Sequence, residues 1–168
     1  PAAGEEMSFF YNQVGAGYFE TFRLPIVAGR AFDTRDRPGS SKVVVVSEAM
    51  ARRYWPGRAA VGGRVFVRGA WAEVVGVARD AKYSSMSEPL RPFVYLPLEQ
   101  HYRPDIRLIV RTAGDPAAVV APVRAAVARV DPNLPLFDVT TLREHMAFSL
   151  VLFELVASVL GLFGVVAM

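Results

Sequence analysis

The chain has 168 residues, a net charge of +3, no cysteine and an apolar fraction of 52%, so it is long enough for one domain or two small lobes and excludes disulfides and thiolate metal sites. Its basic side is almost all arginine, 17 Arg against 2 Lys, but these lie singly or in pairs among 16 acidic residues. That is a solvated mixed-charge surface, and it argues against a nucleic-acid partner.

Taken in order, Phe9 to Val14 reads as a short strand. Gly15-Ala16-Gly17 turns it into a helix over Tyr18 to Arg23, with Tyr18, Phe19 and Phe22 at inward-facing spacing. Leu24 to Gly29 leads to a polar loop, Asp33 to Ser41, whose Asp33 and Asp36 are expected to be solvated Asx-turn residues. Lys42 to Val46 is the clearest strand, since four consecutive valines imply burial on both faces. Ser47 then caps a helix that runs to about Trp55 and stops at Pro56-Gly57. Arg64 to Arg68 and Trp71 to Ala78 read as a hairpin turning at Gly69-Ala70.

Arg79 to Arg91 is a loop, and Phe93 to Leu96 a strand. Pro97 to Pro104 is a second loop, and Ile106 to Thr112 alternates as a strand does. Asp115-Pro116 marks a helix start, with the acid as cap and proline in the first turn. Val119, Val123, Ala126, Val127 and Val130 share one face of that helix, in which Pro122 predicts a kink or a delayed start. Asp131 to Pro135 ends it, and Leu136 to Val139 reads as a final strand. Thr141-Leu142-Arg143-Glu144 fits a capping box, in which Thr and Glu satisfy each other's free backbone donors.

The helix begun there runs directly into Ala147 to Met168, 22 residues with one charge, Glu154. Such a helix is about 33 Å long, enough to cross a bilayer core. Apolar residues cover every face, so the segment is either deeply buried or in lipid. A chain of this size rarely buries such a helix, and the expectation is a membrane span. Ala157, Ser158, Gly161 and Gly164 form a small-residue face for close helix packing. Glu154 belongs at the water interface or against a partner.

Motifs for catalysis and cofactors are weak. Gly15-x-Gly17 places Glu20 where a dinucleotide fingerprint needs its third glycine, and a carboxylate there repels pyrophosphate. No P-loop and no G-x-S-x-G elbow occurs, and His101 and His145 lie in no metal-binding spacing. The reading is therefore no enzyme, no cofactor, no metal and no catalytic residue.

A family resemblance lies in ordered motifs: Gly17-Tyr18-Phe19-Glu20-Thr21, Gly29-Arg30-Ala31-Phe32, Val43 to Ser47 with Glu48-Ala49-Met50-Ala51, Tyr54-Trp55-Pro56-Gly57, Val61-Gly62 and Glu73 to Val77. This order resembles the MacB-like periplasmic core domain of FtsX-like ABC transporter permeases. Tyr95-Leu96-Pro97, Val110-Arg111-Thr112, Asp131 to Pro135 and Ser158 to Phe163 look like its duplicated, orphan-type subgroup.

The resemblance implies a mixed α/β (α+β) fold, two-lobed, with a strand-rich lobe inserted at roughly Gly29 to Leu98 and Arg107 to Val139 as a later strand-helix-strand part of the first lobe. It divides the chain into a periplasmic core, residues 1–145, truncated on its N-terminal side, and the start of a transmembrane helix, residues 146–168. It implies a bacterial inner membrane location with the core outside. The implied partners are a cytoplasmic ABC ATPase, a second permease copy or duplicated half, and membrane lipid. The implied function is mechanotransmission, in which ATPase-driven helix motion does work on a partner or substrate outside the membrane. The alternative is a membrane-anchored envelope binding module without ATPase coupling. Two departures from the family pattern stand out: Phe153-Glu154-Leu155 where basic residues are usual, and Pro122 within its helix.

Overall fold

The computed structural model describes residues 8–82 and 89–144. The chain divides into two units, Pro1–Val110 and Arg111–Met168. The first carries a mixed α/β fold built on a single six-stranded sheet.

In chain order its elements are β1 (Phe10–Val14), α1 (Tyr18–Thr21), β2 (Ile26–Gly29), β3 (Val43–Ser47), α2 (Glu48–Tyr54), β4 (Arg64–Val67), β5 (Ala70–Ala78) and β6 (Phe93–Pro97). The strand order is β1-β6-β3-β5-β2. β1 runs parallel to β6 and β3 parallel to β5, whereas the β3–β6, β2–β5 and β4–β5 pairs are antiparallel. Glu73 faces Val43 on one side and Arg64 on the other, so β4 lies on the edge of β5 away from β3. β5 has nine residues, enough to hold β4 along its first half and β2 along its second.

Successive strand side chains point to opposite faces, and both faces are covered. On one, Val44, Val46, Val65, Val74, Val94 and Leu96 pack with Met50 and Tyr54 of α2. On the other, Val43, Val45, Phe93 and Tyr95 pack with Phe19 of α1 and with Phe32. The valine run of β3 is buried at every position, as its sequence implies. Ser47 caps α2, its Oγ accepting from the Met50 N–H at 3.2 Å.

Some details differ from the sequence reading. Ile26 to Gly29 is a strand rather than the approach to a loop. It is fixed by a close passage in which Gly29 faces Gly76. A Cβ on Gly76 would lie 2.1 Å from the Arg30 carbonyl oxygen, so only glycine allows it. The hairpin turns at Arg68-Gly69, not Gly69-Ala70: Val67 pairs Ala70, and Arg68 and Gly69 have φ of 51° and 81°. A two-residue turn of this hand needs positive φ at both central positions, and glycine takes the second at no steric cost. β1 lies outside the stretch Gly29 to Leu98 that the resemblance maps to an inserted lobe, yet it pairs with β6 from that stretch in one sheet.

In the second unit, the Asp115 side chain caps a 3₁₀ turn, Pro116–Val119, accepting from the Ala117 N–H at 3.0 Å. The α-helix proper, α3 (Val120–Val130), follows. Pro122 therefore falls in the first turn, where a missing N–H breaks no helical bond, and the delayed start is the outcome. The apolar face read from sequence is only partly covered: Val119, Val123 and Val127 are half-buried, while Ala126 and Val130 are exposed. Neither Ile106 to Thr112 nor Leu136 to Val139 is a strand among the described residues. Both alternate or run apolar, but a strand exists only where a neighbouring edge takes its backbone hydrogen bonds.

Candidate coupling site and interaction surfaces

The residues singled out for membrane insertion and helix packing, Glu154, Ala157, Ser158, Gly161 and Gly164, lie outside the described residues, as does His145. What precedes them is described, and it is the expected cap. The Thr141 N–H donates to Glu144 Oε2 at 2.8 Å, and the Glu144 N–H donates to Thr141 Oγ1 at 3.2 Å. The hydroxyls of Thr140 and Thr141 add bonds to Oε2 at 3.0 and 2.9 Å. The Thr141 backbone and hydroxyl bonds, then the Thr140 bond, hold the Glu144 carboxyl below its ordinary pKa and so keep it ionised as an acceptor. Residues 142–144 are already helical, and the chain enters the apolar run through them. Around this start Phe137, Val139 and Leu142 are exposed. In the first unit, Ile106, Leu108, Ile109 and Val110 are exposed as well. Apolar runs left open to water in this way mark surfaces that another part of an assembly covers.

The loop after β2 departs from the expectation of solvated acids. Arg30 forks onto Asp36, Nη1 to Oδ2 at 2.7 Å and Nη2 to Oδ1 at 2.8 Å, and Asp36 is buried. Asp36 Oδ2 also accepts from the Asp33 N–H at 3.0 Å. Asp33 in turn holds Arg35, with Nη2 to Oδ2 at 2.7 Å. The hydrogen bond from Arg30 pulls the Asp36 carboxyl below its usual range, and that from Arg35 does the same for Asp33. Only the Asx turn at Asp33 follows the sequence reading: Arg35 N–H bonds Asp33 Oδ1 at 2.9 Å. Arg30 was the missed partner, because a six-residue separation within a loop carries no periodic signal.

A second polar junction ties the C-terminal ends of β3 and β5 to α2. Asp80 Oδ1 accepts from the Ala49 N–H at 2.7 Å, its other oxygen takes Arg52, and the Asp80 N–H donates to Glu48 at 3.2 Å. Both constellations are paired internally, hold loops against the sheet, and present no free nucleophile or base.

Residues 2–130 match the family described as the MacB-like periplasmic core domain. The chain belongs to that family. Its fold is similar to that of the periplasmic region of MacB from Actinobacillus actinomycetemcomitans, with a TM-score of 0.52 at 17% identity, covering 71% of this chain and 56% of that one. The extracellular domain of YknZ, a noncanonic ABC-type transporter from Gram-positive bacteria, also matches, with a TM-score of 0.44 at 24% identity, over 56% of this chain and 46% of that one. The chain thus spans about half the length of the solved structures it matches. No curated protein matches it.

As a MacB-like periplasmic core domain, the chain belongs to a class of ABC transporter permease domains rather than to an enzyme class. Gly15 and Gly17 form the turn into α1, where the Tyr18 N–H bonds the Gly15 carbonyl at 3.1 Å. No group of three metal-ligating side chains occurs among the described residues. No helix among them is long and apolar enough to cross a membrane. An open groove beside the end of α2 is lined by Ala51, Arg52, Trp55, Pro56, Gly57 and Arg58.

Proposed function

We propose that this MacB-like domain is the extracytoplasmic part of an ABC transporter permease of the FtsX-like, duplicated orphan type. In this reading it stands on the periplasmic side of the bacterial inner membrane and couples ATPase-driven movement of a membrane helix to work on a partner or substrate outside. The carrying observation is the Thr141–Glu144 cap. It starts a helix whose sequence continues without glycine or proline into Ala147 to Met168. A helix capped at the domain and continuous into lipid passes rotation or tilt on; a flexible linker absorbs it. Residues 146–168 form the start of the transmembrane helix, and Ala157, Ser158, Gly161 and Gly164 pack it against a neighbouring helix. The partners are a cytoplasmic ABC ATPase acting through the permease, a second copy or duplicated half, and lipid. The exposed apolar residues at 106–110 and 134–142 are where further parts of the permease cover the domain.

The test is a short Gly-Ser insertion after Glu144 in the intact permease. ATP hydrolysis and membrane insertion are expected to persist while transport-linked activity is lost. Full activity with the insertion overturns the coupling. If the intact permease never co-purifies with an ATPase, the domain is instead a membrane-anchored binding module.

A further inference from the structure

The β4–β5 hairpin turns one of its two faces to water. Its register pairs include Arg64 with Glu73, Val65 with Ala72 and Phe66 with Trp71. Strand side chains alternate between faces. Val65, Val67 and Ala72 fall on the α2 side of the sheet, where they are buried in the core. Arg64, Phe66, Trp71 and Glu73 fall on the other side, and all four are exposed. The layer built on α1 and Phe32 covers that side as far as the partly buried Val75 and includes none of the four. Phe66 is 54% and Trp71 62% exposed, with ring centroids 5.4 Å apart in an edge-on pair. Two large rings held together in water are the kind of apolar patch that another surface covers.

The charges beside the rings are open as well. Arg64 and Glu73 face each other across neighbouring strands, yet among the described residues neither forms an ion pair. The patch is thus two rows of two, a cation beside an anion and a phenyl ring beside an indole. That arrangement is complementary to itself. A two-fold axis running along the strands, between two copies set face to face, exchanges the β4 side of the patch with the β5 side and keeps the rows in line. It lays Arg64 on Glu73 of the second copy, Glu73 on its Arg64, and each Phe66 on the other copy's Trp71.

We propose that this face of the hairpin is a contact between two copies of the chain. A single symmetry operator gives all four side chains a partner, as an isologous interface requires. Other occupants do not. An anionic lipid surface sets Glu73 against like charge, and a partner patch of one sign leaves either Arg64 or Glu73 opposed. Four side chains from each copy fall short of the roughly 800 Å² per partner of a stable complex. The contact is therefore weak between free chains and gains strength where two copies are held side by side. It does not depend on coupling to an ATPase.

The experiment uses the full 168-residue chain in micelles of uncharged detergent, with association read by sedimentation equilibrium at up to about 1 mM. The wild type is expected to dimerise. Arg64→Glu sets acid against acid at both charge contacts and should weaken the dimer about tenfold. Glu73→Arg sets base against base and should do the same. The two single variants mixed in equal amounts should associate as tightly as wild type, because every charge then meets its opposite. Repulsion within one chain is not relieved by mixing, so the recovery reports contact between chains. Association through the apolar run 147–168 responds to neither substitution. Phe66→Ser/Trp71→Ser should weaken the dimer at least as much, and Arg58→Glu, a charge reversal at an exposed site outside the hairpin, should leave it unchanged. A wild type that stays monomeric, single variants that associate as wild type does, or a mixture no tighter than its components overturns the proposal. So does burial of Trp71 by phosphatidylglycerol vesicles in a chain that does not self-associate.

Discussion

Arg30 and Asp36 form a two-point ion pair across the turn after β2, with N–O distances of 2.7 and 2.8 Å, and Asp36 is only 4% exposed. Removing the charge weakens the hold on the Arg30 guanidinium and on the Asp33 N–H, both of which bond to this carboxylate. Asp36→Asn is expected to lower stability by about 2 kcal/mol, read by urea denaturation at pH 7. The pH dependence follows from direction. Asp36 titrates below its ordinary value of 3.8 in the folded chain. Its contribution is therefore complete above that ordinary value and fades as pH falls through the lower folded one. The gap between wild type and variant should close below about pH 4 and stay constant from pH 6 to 8.

The Gly29–Gly76 crossing gives a sharper steric test. Gly76→Ala places a methyl group 2.1 Å from a backbone oxygen, so β2 must move away from β5. A loss of about 2 to 3 kcal/mol is expected. Gly15→Ala adds its methyl where nothing lies within 4 Å and should change stability by less than about 0.5 kcal/mol. Equal effects in the two variants would show that the close passage is not a constraint.

Val45 has no exposed surface and sits in the centre of the sheet. Val45→Asp buries a charge with no partner, which costs several kcal/mol, and the cooperative thermal transition of the sheet should vanish. Val27→Asp, at a position 44% exposed on β2, should melt close to wild type.

Ser47 joins three elements through one hydroxyl. It accepts from the Met50 and Phe93 N–H groups, each at 3.2 Å, and donates to the Arg91 carbonyl at 3.4 Å. Ser47→Ala leaves buried donors without partners and should cost about 2 kcal/mol. Amide hydrogen exchange at Met50 and Phe93 should quicken together. Faster exchange at Met50 alone would mean that Ser47 is a helix cap and no more.

What the sequence discloses is what local chemistry decides. The four valines of β3, the Ser47 cap, the Val-rich hairpin and the Thr141–Glu144 box each carry their signal within a few residues, and each forms. What it hides depends on distant partners. β2 is set by Gly76 and Val77 on β5. The Arg30–Asp36 pair links residues with no periodic relation, and the Tyr11–Arg68 contact spans 57 positions. Ile106 to Thr112 shows the converse. Its alternation is that of a strand, but alternation reports only which faces differ, and an edge to pair with must come from elsewhere. Of the candidate site, the cap is legible as a four-residue motif, whereas the Asp80 junction joins α2 to a residue 31 positions from Ala49.

The partnership of Phe10 with Phe93, the first register pair between β1 and β6, bears on the order of events during synthesis. Among the described residues β1 pairs with β6 alone, a stretch more than eighty positions downstream. Pairings this remote close slowly. Throughout that interval a ribbon carrying Phe10 and Tyr11 waits bare, the part of a nascent chain most prone to stick to its neighbours. Shielding Phe10–Val14 until Phe93–Pro97 has emerged is therefore expected to raise the yield of native protein.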